Sequence, residues 1–349
     1  MKSFFVFFFL GLALIGTGCF QPSRPSLITS PELKQEQQTV KITGIIKSVN
    51  TQENTLVLEF ANGTKESIHL EESTGIIIDG REEQTLSKVQ PEMLAEIFGT
   101  RNAATLETIA RTIRIAVSNN LVVLSPNTGA TVTSPLLIEG FARIFENVYE
   151  WRIKDASGAI KLNGFDMTSA KNPGTFGSFH LEIFLPAMEQ QEFTLELFTS
   201  SPKDGTEENL VSIPLHLLSI STTTFQSFFP NVRLNTEKNC NTVYPVSRTV
   251  AETAAVGRTS LYTLLKGPTE QEQTIGYENI FSPENSIYSL IISGGVATVD
   301  IPSSLIQPLN TCEQKTLHSQ IRETLLQFPS ISDVQIILDH HPDSIFSVS

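Results

Sequence analysis

Residues 312–339 read CEQKTLHSQIRETLLQFPSISDVQIILD. Leu317, Ile321, Leu325 and Phe328 recur at spacings of four and three, which places them on one face of a helix. Pro329 disfavours helical backbone at the residue before it and so ends the helix. The DVQIILD run that follows is short, apolar and bounded by turn residues, the signature of a strand. A helix that runs directly into a strand sets the expectation for everything around it. Upstream, AETAAVGRTSLYTLLKG places Ala254, Gly257, Leu261 and Leu264 on one helical face, with Gly267 and Pro268 as a stop. Between the helices, SIYSLIISGGVATVDIP reads as two strands joined across Ser293, Gly294 and Gly295. FQSFFPNVRL and VYPVSRTV read as strands before the first helix. Two helices on one face of a small sheet predict an α+β domain over residues 220–343, with 344–349 as a tail.

Toward the N-terminus the pattern changes to strands alone. Residues 119–219 carry VVL, LLIEGFAR, VYEWRIKD, FGSFHLEIFLP, EFTLELFTSSPKDG and LVSIPLHL, separated by the turn clusters PNTG and DASG. Short strands at regular spacing predict a β-sandwich. Trp151, alternating with Tyr149 and Ile153, is expected in its core. Residues 40–118 carry VKITGIIKSVN, TLVLEFANG, TKESIHL, GIIID, MLAEIFGTRN and IARTIRIAV, with Asn62-Gly63 as a hairpin signal. This unit is expected to be all-β and is similar to small barrel-like domains of exported bacterial proteins. Such a barrel can bind oligomers, but this sequence shows no aromatic residues on a basic face.

The N-terminal MKSFFVFFFLGLALIGTGC has one lysine and an apolar block from Phe4 to Ile15. That is shorter than the ~20 apolar residues a membrane-spanning helix needs, so residues 1–18 read as an export signal. Small residues directly before Cys19 resemble the lipobox of bacterial lipoproteins, although Gly16 stands where that motif usually has Leu. An ordinary cleaved signal is the alternative. Residues 19–39, rich in Pro, Ser and Gln, read as a flexible tether. With 349 residues, 40% hydrophobic, 17% charged and a net charge of −13, the chain has the composition of a multidomain protein. The acidic balance argues against nucleic acid and against charge-driven binding to anionic lipid. If Cys19 carries lipid, Cys240 and Cys312 remain as a candidate disulfide, with two buried thiols as the alternative.

Some of these residues also carry a family resemblance. FFPN, Cys240, YPVSRTV, LLKGPTEQE, GGVATVDI, Cys312 and QIRETLLQFPSISDVQI are similar, in order and spacing, to the domain of GerM-type sporulation and spore-germination lipoproteins. SPNTGATVTSP, GFARIFE, GTFGSF and SSPKDG resemble the immunoglobulin-like domain that accompanies it. The resemblance implies a non-catalytic exported lipoprotein whose α+β domain is similar to ring-building motifs of envelope assemblies. It also implies structural roles for motif residues Arg248, Gly267, Pro268, Thr269, Gly294, Gly295, Phe328 and Pro329. Arg248 is expected to pair with a carboxylate of its own domain rather than with a partner.

Catalytic motifs are missing from the sequence: it has no GxSxG, HExxH or P-loop. His340 and His341 in DHHPD alternate in direction if the segment is extended, and the segment is expected to be a solvated tail. Asp204 in KDG reads as a turn residue and not as a calcium ligand. Glu139, Glu146 and Glu150 read as surface charges rather than a glycosidase pair. No cofactor and no metal are expected. The expected partners are other envelope proteins, reached through the C-terminal domain, and a membrane, reached through the lipid. A wall-binding protein that recognises peptidoglycan through the β units is the alternative. Phe141, Phe145, Tyr149 and Trp151 would have to be exposed for that.

Overall fold

The computed structural model describes residues 37–83, 85–115, 119–281 and 287–346. Cys19, the expected export signal over residues 1–18 and most of the expected tether lie outside the described residues. None of the described helices is long and apolar enough to cross a membrane.

The first unit consists of β1 (Gln37–Asn50), β2 (Thr55–Glu59), β3 (Lys65–Ile78), β4 (Arg81–Glu83), β5 (Leu94–Asn102) and β6 (Thr108–Ile115). β1 pairs with β2, β2 with β3, β3 in parallel with β6, β6 with β5, and β5 with β1, so the ladder returns to its starting strand. TKESIHL and GIIID, expected as two strands, are one, because the bulge between Leu70 and Gly75 absorbs the polar residues between them. β1 also begins before Val40: Gln37 to Thr39 pair with Asn102 to Thr100. Main-chain pairing does not require apolar side chains, so the polar composition of the tether concealed the start of the strand. Ile46, Leu56, Leu58, Ile68, Ile97 and Ile113 fill the interior.

The second unit consists of β7 (Leu121–Ser125), β8 (Thr131–Val132), β9 (Leu136–Ala142), β10 (Val148–Asp155), β11 (Ile160–Met167), β12 (Gly177–Ile183), β13 (Glu192–Ser200) and β14 (Glu207–Leu217). One sheet has the order β11-β10-β13-β14-β8 and the other β12-β9-β7. Their inner faces enclose Tyr149, Trp151, Ile153, Ile138, Leu181 and Leu195, the immunoglobulin-like arrangement that alternating apolar positions produce. Tyr149 and Trp151 are buried as expected. Phe141 lies on the opposite face of β9, where it joins Phe176, Ile45 and Leu94 in an apolar cluster between the first two units.

The third unit consists of β15 (Thr222–Phe229), β16 (Tyr244–Ala251), α1 (Val256–Leu265), α2 (Glu270–Thr274), β17 (Ser289–Ser293), β18 (Val296–Ile301), α3 (Thr311–Leu326), β19 (Asp333–Leu338) and β20 (His341–Ile345). Leu261, Leu264, Leu317, Ile321 and Leu325 pack with Val299, Ile301 and Ile336 in one core. The expected single sheet is two: a β15-β16 hairpin and a sheet of order β17-β18-β19-β20. The cause is α3. Gln327 accepts from the Gln226 amide at 2.7 Å and donates to the Gln226 carbonyl at 2.6 Å. Thr324 accepts from the Phe228 amide at 3.2 Å, and Gln320 donates to the Phe228 carbonyl at 3.0 Å. Helix side chains thus occupy the edge of β15 where a strand would otherwise pair.

DHHPD is not a solvated tail, and the expected tail at 344–349 begins too early. His341 starts β20, which runs to Ile345 and pairs with β19. Asp339 (φ 51) and His340 (φ 64) form the turn between these strands.

At the junction of the second and third units, Arg258 on α1 pairs with Glu182 on β12 at 2.7 Å. Phe184 meets Tyr262 at 4.4 Å between ring centroids.

Candidate functional site

Four of the motif residues of the third unit, Arg248, Gly267, Pro268 and Thr269, converge on one corner. Arg248, on β16, donates from Nη1 to Oε1 of Glu272 at 2.7 Å and from Nη2 to Oε2 at 2.8 Å. Glu272 is also the third residue of α2. Its carboxylate accepts from the Thr269 amide at 2.7 Å, while the Thr269 hydroxyl accepts from the Glu272 amide. This is a capping box, and its T-x-x-E signature lies in the sequence inside GPTEQE. Partial burial raises the cost of the Glu272 charge, but the Arg248 and Thr269 hydrogen bonds outweigh it and hold the carboxyl below its ordinary value. Gly267 (φ +79) ends α1, and a Cβ there would fall 2.6 Å from the Asn279 side chain. Pro268 is buried beside it and accepts from Gln273 Nε2 at 3.0 Å. Arg248 therefore pairs within its own domain.

Gly294 and Gly295 form the β17-β18 turn at φ 57 and 83. Both the amide and the hydroxyl of Ser332 donate to the Gly295 carbonyl, at 2.7 and 3.1 Å. Phe328 is half-buried against the core and accepts from the Ile331 amide, and Pro329 is exposed. These residues shape the helix-to-strand junction and lie apart from the Arg248 corner in the chain of contacts.

Cys240 and Cys312 are joined, with their Cα atoms 5.1 Å apart. Cys240 lies in the long connection between β15 and β16, and Cys312 in the first turn of α3. That turn carries its own capping box, formed by Asn310 and Glu313. The Thr316 hydroxyl donates to the Cys240 carbonyl at 2.9 Å, a second tie between connection and helix. Beside this bond lies a cleft of about 800 Å³ between the connection, α2 and the start of α3. The sequence reading missed it because its lining comes from irregular segments without periodicity.

A buried carboxylate on β18 also went unnoticed, because its partner His340 lies 40 residues away in the chain. Asp300, 4% exposed, accepts from the His340 amide at 3.1 Å and contacts His340 Nδ1 at 2.6 Å. The Tyr288 ring stacks on His340 at 4.2 Å. Elsewhere, Asp204 accepts from the Thr206 amide and hydroxyl in an ordinary turn. Glu139 meets His180, and Glu150 accepts from the Ser200 hydroxyl. Among the described residues no three His, Cys, Asp or Glu side chains are placed to hold a metal ion. Of the four aromatic residues that could have formed an exposed patch, only Phe145 is exposed, at 62%.

No curated protein matches this chain at a significant level. Among solved structures, a candidate lipoprotein from Clostridium perfringens matches at 21% identity and a TM-score of 0.23, over 37% of this chain and 86% of that one. Residues 120–206 match the family described as the immunoglobulin-like domain of bacterial spore germination. Residues 228–344 match the family described as sporulation and spore germination. One chain thus carries, in this order, a member of the immunoglobulin-like domain family of bacterial spore germination and a member of the sporulation and spore germination domain family.

Proposed function

We propose that this protein is a non-catalytic lipoprotein of the bacterial cell envelope that acts as a scaffold. Lipid on Cys19 holds it at a membrane, the tether and β units set its reach, and the third unit docks another envelope protein. The barrel-like first unit and the similarity of the third unit to ring-building modules belong to the same reading. The observation that carries it is β17, the end strand of its sheet, whose outer edge has no strand partner among the described residues. Ile291 and Ile292, which point to opposite faces, are 62% and 45% exposed. An uncovered apolar edge strand is a template for pairing with another chain.

The test is a photo-cross-linking residue at Ile292 in intact cells, with adducts analysed for both protein and glycan. A dominant envelope protein supports the scaffold. Peptidoglycan fragments without a protein partner would replace it with the wall-binding reading. That reading loses its aromatic patch, because Phe141, Tyr149 and Trp151 are buried. Cys19→Ala tests the anchor and should move the protein out of the membrane fraction.

A further inference from the structure

The cleft beside the Cys240–Cys312 bond has the chemistry of a ligand site, and its position is separate from the β17 edge. Its volume, about 800 Å³, lies within the range of small-ligand pockets. Among the described residues that line it, neutral amides and hydroxyls are the commonest polar groups, set beside apolar surface and one aromatic ring, Tyr277. Lys238, Glu278 and Glu313 are its only charged residues among the described ones. A cleft with one cation and two carboxylates does not attract an anion.

Three amides lining the cleft are each oriented by one hydrogen bond and keep their other end unpaired among the described residues. Asn239 Oδ1 accepts from the Asn241 amide, which leaves its Nδ2. Asn279 Oδ1 accepts from the Phe281 amide, which also leaves its Nδ2. Gln273 Nε2 donates to the Pro268 carbonyl, which leaves its Oε1. The cleft therefore presents fixed donors and a fixed acceptor, joined by the hydroxyls of Thr236 and Thr242. Tyr277 is held by its hydroxyl on the Pro245 carbonyl at 3.4 Å, and its ring stays half-buried. Mixed donors and acceptors next to an aromatic face match vicinal hydroxyl groups, each of which both donates and accepts.

The walls are also set before any ligand arrives. The disulfide and Thr316 fix Cys240 to α3. Asn235 binds the Asn239 carbonyl at 2.8 Å and accepts from its amide at 3.0 Å, which closes the turn between them. Rigid walls reduce the entropy lost on binding.

We infer that this cleft binds a neutral oligosaccharide. The experiment is calorimetric titration of the full chain with three probes: the β-1,4-linked trimer of N-acetylglucosamine, maltotriose and cellotriose. Saturable binding of at least one probe, weakened about tenfold or more in both Asn239→Ala and Tyr277→Ala and unchanged in Phe145→Ala, supports the assignment. Both cleft variants must melt within a few degrees of the parent. If either does not, Gln273→Ala, at an exposed position of α2, takes its place. Absence of saturable binding up to about 20 mM of every probe, beyond the millimolar end of the affinity scale, overturns it. So does binding that the cleft variants leave intact. Cross-linking through β17 reads a different surface, so failure here and failure of the scaffold reading are told apart.

Discussion

Arg248 and Glu272 form a two-bond ion pair although they lie 24 residues apart, one on β16 and the other in the first turn of α2. The same carboxylate caps α2 through the Thr269 amide. One glutamate therefore ties the YPVSRTV strand to the GPTEQE turn, and the relative position of the two motifs depends on it.

Both side chains of this pair are largely covered, at 14% and 17% exposed. Removing one partner leaves the other charge partly buried, so Arg248→Ala should destabilise the third unit by about 2 kcal/mol, between the values for exposed and fully buried pairs. Because the folded carboxyl is held below its ordinary value of 4.5, its contribution is complete above that pH. The contribution is lost as pH falls through the depressed folded value. Glu272→Gln should lower the melting temperature at pH 7 and flatten its decline in acid, as measured by circular dichroism from pH 7 to 3. An unchanged acid slope would mean that the pair does not contribute.

Cys240 and Cys312 close a loop with a sequence separation of 72. In the chain-entropy account that is worth about 4 kcal/mol. Cys312→Ser should melt well below the parent under oxidising conditions, and reducing agent should lower the parent to meet it. Equal melting temperatures for both proteins in both conditions would show that the bond carries nothing.

Gln327 replaces a strand at the edge of β15. Gln327→Ala removes the partners of both the amide and the carbonyl of Gln226, at a cost of about 1–2 kcal/mol. Hydrogen exchange at the Gln226 amide should accelerate, while exchange at residues of β6 stays at the parent rate. Uniform protection in the variant would mean that the hairpin holds itself.

In the second unit the Tyr149 hydroxyl is fully buried and makes no well-formed hydrogen bond with protein. Burial pushes the phenol well above its ordinary range, and the nearby Asp166 carboxylate adds to this. Burial likewise raises Asp166, against the opposing hydrogen bond from the Met167 amide and the nearby Tyr149 hydroxyl. Tyr149→Phe should leave stability nearly unchanged, whereas Tyr149→Ala should cost about 3–5 kcal/mol through the cavity it opens. For Asp166 the sign is opposite to that for Glu272. A raised carboxyl penalises the folded state above its folded value, and the penalty disappears below the ordinary value of 3.8. Asp166→Asn should therefore raise the melting temperature at pH 7 and leave it unchanged near pH 3. A gain of equal size at both pH values would assign the effect to packing instead.

Periodicity was enough to place α3 through Leu317, Ile321 and Leu325 and to place Tyr149 and Trp151 in a sandwich core, and the Gly294-Gly295 turn residues set the β17-β18 hairpin. These features are local: the side chains that define them lie within one or two turns, or on alternate positions, of a single segment. Cysteine count narrowed the disulfide to one pair for a similar reason, since only two thiols remained once Cys19 was set aside. Tertiary structure decided what depends on distant partners. The acceptor for Arg248 could not be chosen among many carboxylates until β16 and α2 met. The split of the expected sheet into two required the amide side chains of α3 to reach Gln226 and Phe228. Pairing with β19 turned DHHPD from a polar run into part of a hairpin. The cleft beside the disulfide is lined by irregular segments, whose shape comes from turn hydrogen bonds and a covalent tie, and a linear pattern of hydrophobic and polar residues records neither.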